Sequence, residues 1–190
     1  MPNVKNTSQT GPMATEICSH VQVEKPARKL LSDEQTALDY IAILIEHGHF
    51  SDATRLVAHL LPAREAVWWA CQCARQAAEP APPPEWKTAL EAAEKWVTEL
   101  SEESRRNAQN AAHEAGLNTA AGCAAMAAFA TGSMAPPDAP QVPPAPHLTA
   151  EVVAGSILVS ALSPNPTEAP PKYRTFLAQG IELYRSTVSQ

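Results

Sequence analysis

The sequence predicts an all-α protein: a single compact domain of about eight helices, packed as antiparallel hairpins, with a proline-rich strap between the sixth and seventh. Three observations carry that expectation. The 18 prolines fall almost entirely in clusters, and proline inside a helix removes a backbone donor and clashes with the preceding turn. Between the clusters, apolar residues recur at helical spacing behind residues suited to capping. The one apolar run whose period also suits a buried strand, VVAGSILVSAL at residues 152–162, has no second strand in the chain to pair with.

Residues 1–28 are polar, carry Gly, Pro and Ser, and show no sustained period; they are expected to form a disordered or partner-ordered tail, with the domain covering 29–190. Ser32 and Gln35 make a capping box for a first helix whose buried stripe is Leu38, Ile41, Leu44 and Ile45, ended by Gly48. Ser51 caps a short second helix that buries Ala53, Leu56, Val57 and Leu60. Pro62 suits the first turn of a third helix running to about Ala78. A proline connection at 79–84 precedes a fourth helix marked by Trp86, Leu90, Ala93, Val97 and Leu100.

The fifth helix spans 102–115 and stops at Gly116; Asn118 caps a sixth whose many alanines let neighbouring helices approach closely, which predicts a central position. Residues 135–147 read as an extended, polyproline-like strap or spacer. Thr149 caps a seventh helix with Glu151 at its positive end, and an eighth, from 172 to about 187, aligns Tyr173, Phe176, Leu177, Ile181 and Tyr184.

Charge and composition narrow the function. A formal net charge of -6 repels a phosphate backbone, so no nucleic-acid partner is expected. The weakly polar runs fall short of the ~20 apolar residues that span a bilayer, and no membrane segment is expected. The first residues lack a basic stretch followed by an apolar core, so they do not read as a signal peptide, and the expected location is cytoplasmic. Cys71 and Cys73 would point ~200° apart on a helix, which leaves them as small packing residues rather than a metal pair.

The most distinctive stretch is REAVWWACQCAR at residues 64–75. Neighbours on a helix are ~100° apart, so Trp68 and Trp69 cannot share the centre of one narrow stripe. Val67, Cys71 and Ala74 form a core line. Either both rings join that core, or one stands at the surface as an interface anchor beside Arg64 or Arg75, since Trp and Arg concentrate at binding hot spots. Arg64, Trp68, Trp69 and Arg75 are therefore the candidate interface residues. Arg64, in the first turn where a cation opposes the helix dipole, calls for a carboxylate partner.

Other constellations carry less. His47, His49 and His59 lack a ligand spacing and read as exposed imidazoles near a turn; His113 and His147 have no motif context. Asp33, Glu34, Asp39, Glu46 and Asp52 sit where a soluble helix pair exposes charge. With no nucleophile motif, P-loop or metalloprotease spacing, no catalytic, cofactor-binding or metal-binding residue is assigned, and the protein is not expected to be an enzyme.

Three blocks, LLPAREAVWWACQCAR at 60–75, AAMAAFATGSMAPPDAPQVPPAPHLTAEVVAGSILVSAL at 124–162 and YRTFLAQGIEL at 173–183, give the chain a likeness. It resembles an uncharacterised family of small bacterial proteins whose genes often lie near those of type VI secretion. Ala130 departs from the family pattern, which favours a bulky residue at that corner. The resemblance implies a cytoplasmic adaptor or co-chaperone that holds a secretion effector, a larger adaptor or a spike-tip protein before loading. Alternatives are an immunity protein that occludes a toxin, a small-molecule-binding helical domain, and a scaffold formed by self-association.

Overall fold

The structure is a computed structural model that describes residues 11–189, so residues 1–10 of the expected tail lie outside the described residues. It is all-α. Among the described residues there are ten α-helices: α1 (Ala14–Ile17), α2 (Lys25–Arg28), α3 (Ala37–Glu46), α4 (Phe50–Leu60), α5 (Ala63–Ala77), α6 (Pro84–Glu99), α7 (Glu102–Ala115), α8 (Ala120–Phe129), α9 (Leu148–Leu162) and α10 (Ala169–Val188). A 3-10 turn, Pro166–Glu168, leads into the last. The eight long helices occupy the eight expected stretches, and VVAGSILVSAL is helical within α9.

Helix starts follow local chemistry, though not always at the residue the sequence suggested. The box that opens α3 is Thr36 with Asp39: the Thr36 hydroxyl accepts from Asp39 N at 3.2 Å while the Asp39 carboxylate accepts from Thr36 N at 3.2 Å. Ser32 and Gln35 do bond each other, Ser32 N donating to Gln35 Oε1 at 2.9 Å, but they close a turn before the helix. Thr119, not Asn118, caps α8 by accepting from Gly122 N, and His147 rather than Thr149 precedes α9. Thr149 instead donates its hydroxyl to Ala130 O, and Ala130 itself is buried. His49 takes the position before α4, so Ser51 lies inside the first turn.

The largest departure concerns the expected tail. The segment from Gly11 is packed on the domain: Ala14, Cys18, Val21, Val23 and Ala27 are buried in the same core as Tyr40, Ile41 and Leu44. Backbone bonds tie it down, with Ala37 N donating to Pro12 O at 2.9 Å and Ala14 N to Gln35 O at 3.0 Å. Two side chains complete the attachment. Tyr40 donates its hydroxyl to Ala27 O at 2.9 Å, and Asp52 accepts from Glu24 N at 3.0 Å. Asp52, expected at an exposed position, is thereby buried, and its carboxylate satisfies a backbone donor that burial would otherwise strand. Spaced anchors too sparse for a periodic pattern make this segment part of the domain.

At the centre, α8 lies among α5, α6, α7 and α9, and its alanines admit the close approach the composition predicts. Gly122 shows the limit of that approach: a Cβ there would meet Gly116 O at 2.1 Å. The strap leaves α8 through a basic anchor. Arg105 on α7 is only 4% exposed; its Nε and Nη2 donate to Glu102, Nη1 donates to Phe129 O, and Nη2 also donates to Ser133 O. Arg106 donates to Glu102 and to Ala135 O, and both guanidinium groups lie over the Phe129 ring. Residues 144–147 then face α4 and the start of α5 across a shared cleft, with the His147 ring against His59 of α4, as a strap does.

Candidate functional site

Helix α5 begins with Pro62 at the preceding cap position, where a missing N–H costs nothing, and carries Glu65 in its dipole-favoured first turn. It packs on α6, α8, α9 and α10, so most of its circumference is covered. Val67, Cys71 and Ala74 are buried as the core line expected, and burial pushes the Cys71 and Cys73 thiols up, which keeps them protonated and inert.

The two tryptophans part company. Trp69 is 1% exposed, and its indole N–H donates to Phe176 O of α10 at 2.9 Å, so it belongs to the core rather than to an interface. Helix α10 reaches this close because Gly180 faces the ring: a Cβ there would meet Trp69 Cε2 and Cζ2 at 2.7 Å. Trp68 is 40% exposed. It stands as a ridge between two grooves.

The first groove, about 570 Å³, runs between α5 and α10 and is lined by Trp68, Trp69, Gln72, Gln76, Ala178, Gln179, Glu182, Leu183 and Ser186. Gln76 and Gln179 close one part of it with a reciprocal amide pair at 3.1 and 3.0 Å. The second, about 340 Å³, lies between α5 and α6 and is lined by Arg64, Glu65, Trp68, Val97, Thr98 and Leu183. Trp68 and Leu183 line both.

The flanking arginines are occupied within the chain. Arg64 Nε donates to Val97 O at 2.8 Å, one of the last carbonyls of α6 that lacks an intrahelical partner. The carboxylate expected for Arg64 is thus replaced by a helix C-terminus, whose partial negative charge serves the same purpose. Arg75 makes a two-pronged pair with Glu94 on α6, Nε to Oε1 at 2.6 Å and Nη2 to Oε2 at 2.7 Å. Both arginines fasten α6 to α5 and frame Trp68 at a distance. Sequence reasoning missed Leu183 and the polar face of α10. Leu183 falls beside the Tyr173 to Tyr184 stripe rather than on it, and an apolar residue off its stripe was the available signal.

A family model described as a family of unknown function (DUF6931) matches residues 40–184. The chain belongs to that family. The DUF6931 region runs from Tyr40 in α3 to Tyr184 in α10, so it contains Trp68 and every other lining residue of both grooves except Ser186. The segment carrying α1 and α2 lies before it. No curated protein and no solved structure matches the chain.

Among the described residues no group of three or more His, Cys, Asp or Glu side chains is arranged to hold a metal ion, and no single helix is long and apolar enough to cross a membrane.

Proposed function

We propose that this protein is a non-enzymatic adaptor or co-chaperone of the cytoplasm, which holds an effector, a larger adaptor or a spike-tip protein for type VI secretion. The observation that carries the binding role is Trp68, a large aromatic side chain left 40% exposed between two grooves on a rigid helix. Aromatic anchors with adjoining pockets are what binding hot spots are built from. The secretion setting rests on the likeness of the three sequence blocks, and the acidic net charge of -6 disfavours nucleic acid as the partner.

Affinity capture from the native host under secretion-active conditions, with the parent chain and with Trp68→Ala, tests this reading. Recovery of an effector or spike-associated protein by the parent, and its loss with the variant while the helical signal persists, is the expected result. Repeated recovery of the chain alone counts against it. A groove of about 570 Å³ is also within the range of small-molecule sites, so a ligand-dependent rise in melting temperature, abolished by Trp68→Ala, would redirect the reading to ligand binding.

A further inference from the structure

Three histidines from three separate segments meet at the far end of the strap. His20 lies in the N-terminal segment just after α1, His59 near the end of α4, and His147 at the junction of strap and α9. The His147 ring stands between the other two, with centroids 4.9 Å from His59 and 5.1 Å from His20. Although His147 occupies the cap position of α9, its side chain makes no capping bond. Its backbone is held in the left-handed region, φ 65°, which a non-glycine residue adopts only under constraint from its surroundings.

His59, with a side chain 3% exposed, pairs through Nε2 with Glu151 Oε1 at 3.0 Å, and Arg55 approaches the other carboxylate oxygen at 3.8 Å. From α5 the adjoining cleft receives Ala63 and Ala66, and the strap from 139 to 146 contains no titratable residue. Glu151 thus holds one of the three imidazoles, His59, and shares its carboxylate with Arg55.

We propose that His20, His59 and His147 form an acid-operated latch: while neutral the three rings allow the strap end and the N-terminal segment to close together on α4, and when protonated they drive His147 away and open the cleft beneath it. That cleft, about 290 Å³, is lined by Ala58, His59 and Ala66 on one side and Pro144, Pro146 and His147 on the other. The physical cause is accumulation of like charge. Imidazoles ordinarily take up a proton near pH ~6.5, and protonating this stack places His147 against a cation on each side. Burial lowers the pKa of His59 in the folded chain, against the pull of Glu151, so the closed state resists the proton that an open state accepts. Closure is then favoured above the ordinary histidine range and lost as pH falls below it. Relaxation of the backbone at His147 works in the same direction.

Amide exchange of the full chain, followed by NMR at pH 7.5 and 5.5 and corrected for intrinsic rates, tests the latch. The informative amides are Leu148, which donates to Ala145 O, and Glu151, which donates to His147 O. Expected is a loss of protection of about tenfold or more at these amides at the lower pH, with α7 and α8 unaffected. His20 and His147 are exposed, so a double variant with His20→Gln and His147→Gln leaves the core intact while removing two of the three imidazoles. It should keep similar protection at both pH values. Equal protection in the parent at both values overturns the proposal, as does a double variant with the parent's pH dependence. Loss of protection in the variant at both values also overturns it, since the rings would then act by packing alone.

Discussion

At the scale of single residues, Trp68 and Trp69 show how one helical step separates two roles. Truncating Trp69 removes a buried ring and its bond to Phe176 O; Trp69→Ala should lower stability by about 3 to 5 kcal/mol in denaturant unfolding. Trp68→Ala should cost less than half of that, because much of its ring is already in water. Equal losses from the two would contradict the burial described above. Gly180 gives a second test in the opposite sense of volume. Gly180→Ala pushes a methyl group against Trp69 and Val57 at 2.7 Å, and a destabilisation of about 1 to 3 kcal/mol is expected despite alanine's better helix propensity.

Helices and their connections depend on a few charged anchors. Glu102 is held well below the usual carboxylate range, to about 2, chiefly by the hydrogen bonds from Arg105 and then by those from Arg106. A carboxyl whose folded pKa is depressed stabilises the native state above its unfolded value of 4.5, and that contribution disappears as pH falls toward 2. Melting of the parent and Glu102→Gln should therefore differ at pH 7, with the parent higher, and converge near pH 2. Since the same carboxylate orients the two arginines that hold Phe129 O, Ser133 O and Ala135 O, the variant should loosen the start of the strap first. Elsewhere the element boundaries were legible because their causes are local. Gly116, the proline connections and the first-turn acids each act within a few residues. Misplaced caps, such as Asn118 for Thr119, arose where adjacent polar residues compete and only the path of the preceding chain selects between them.

For the molecule as a whole, the N-terminal segment is the main addition to what periodicity revealed. A chain beginning at Lys29 removes Ala14, Cys18, Val21, Val23 and Ala27 from the core, takes the Ala27 acceptor from the Tyr40 hydroxyl and leaves the Asp52 carboxylate without the Glu24 amide. It should melt well below the full chain, by more than the ~4 °C that about 1 kcal/mol represents in a domain of this size. Equal melting temperatures would restore the segment to a mere appendage. The candidate site was legible in half: α5 and its tryptophans stood out as an improbable string, whereas the opposing wall on α10 did not. Which ring faces water depends on where α10 lies, and that is set by Gly180 and by a bond spanning 107 residues from Trp69 to Phe176.

The sequence by itself determined the all-α class, the eight long helices and the central place of the alanine-rich one. Proline geometry, capping and helical period act over a few residues and need no knowledge of the remainder. Tertiary structure alone decided that Trp68 is the exposed ring, that Arg64 serves the end of α6, that residues 11–28 belong to the domain, and that His20, His59 and His147 share one point. Each of these outcomes depends on groups brought together from distant parts of the chain, where packing and desolvation, rather than local preference, determine the energy.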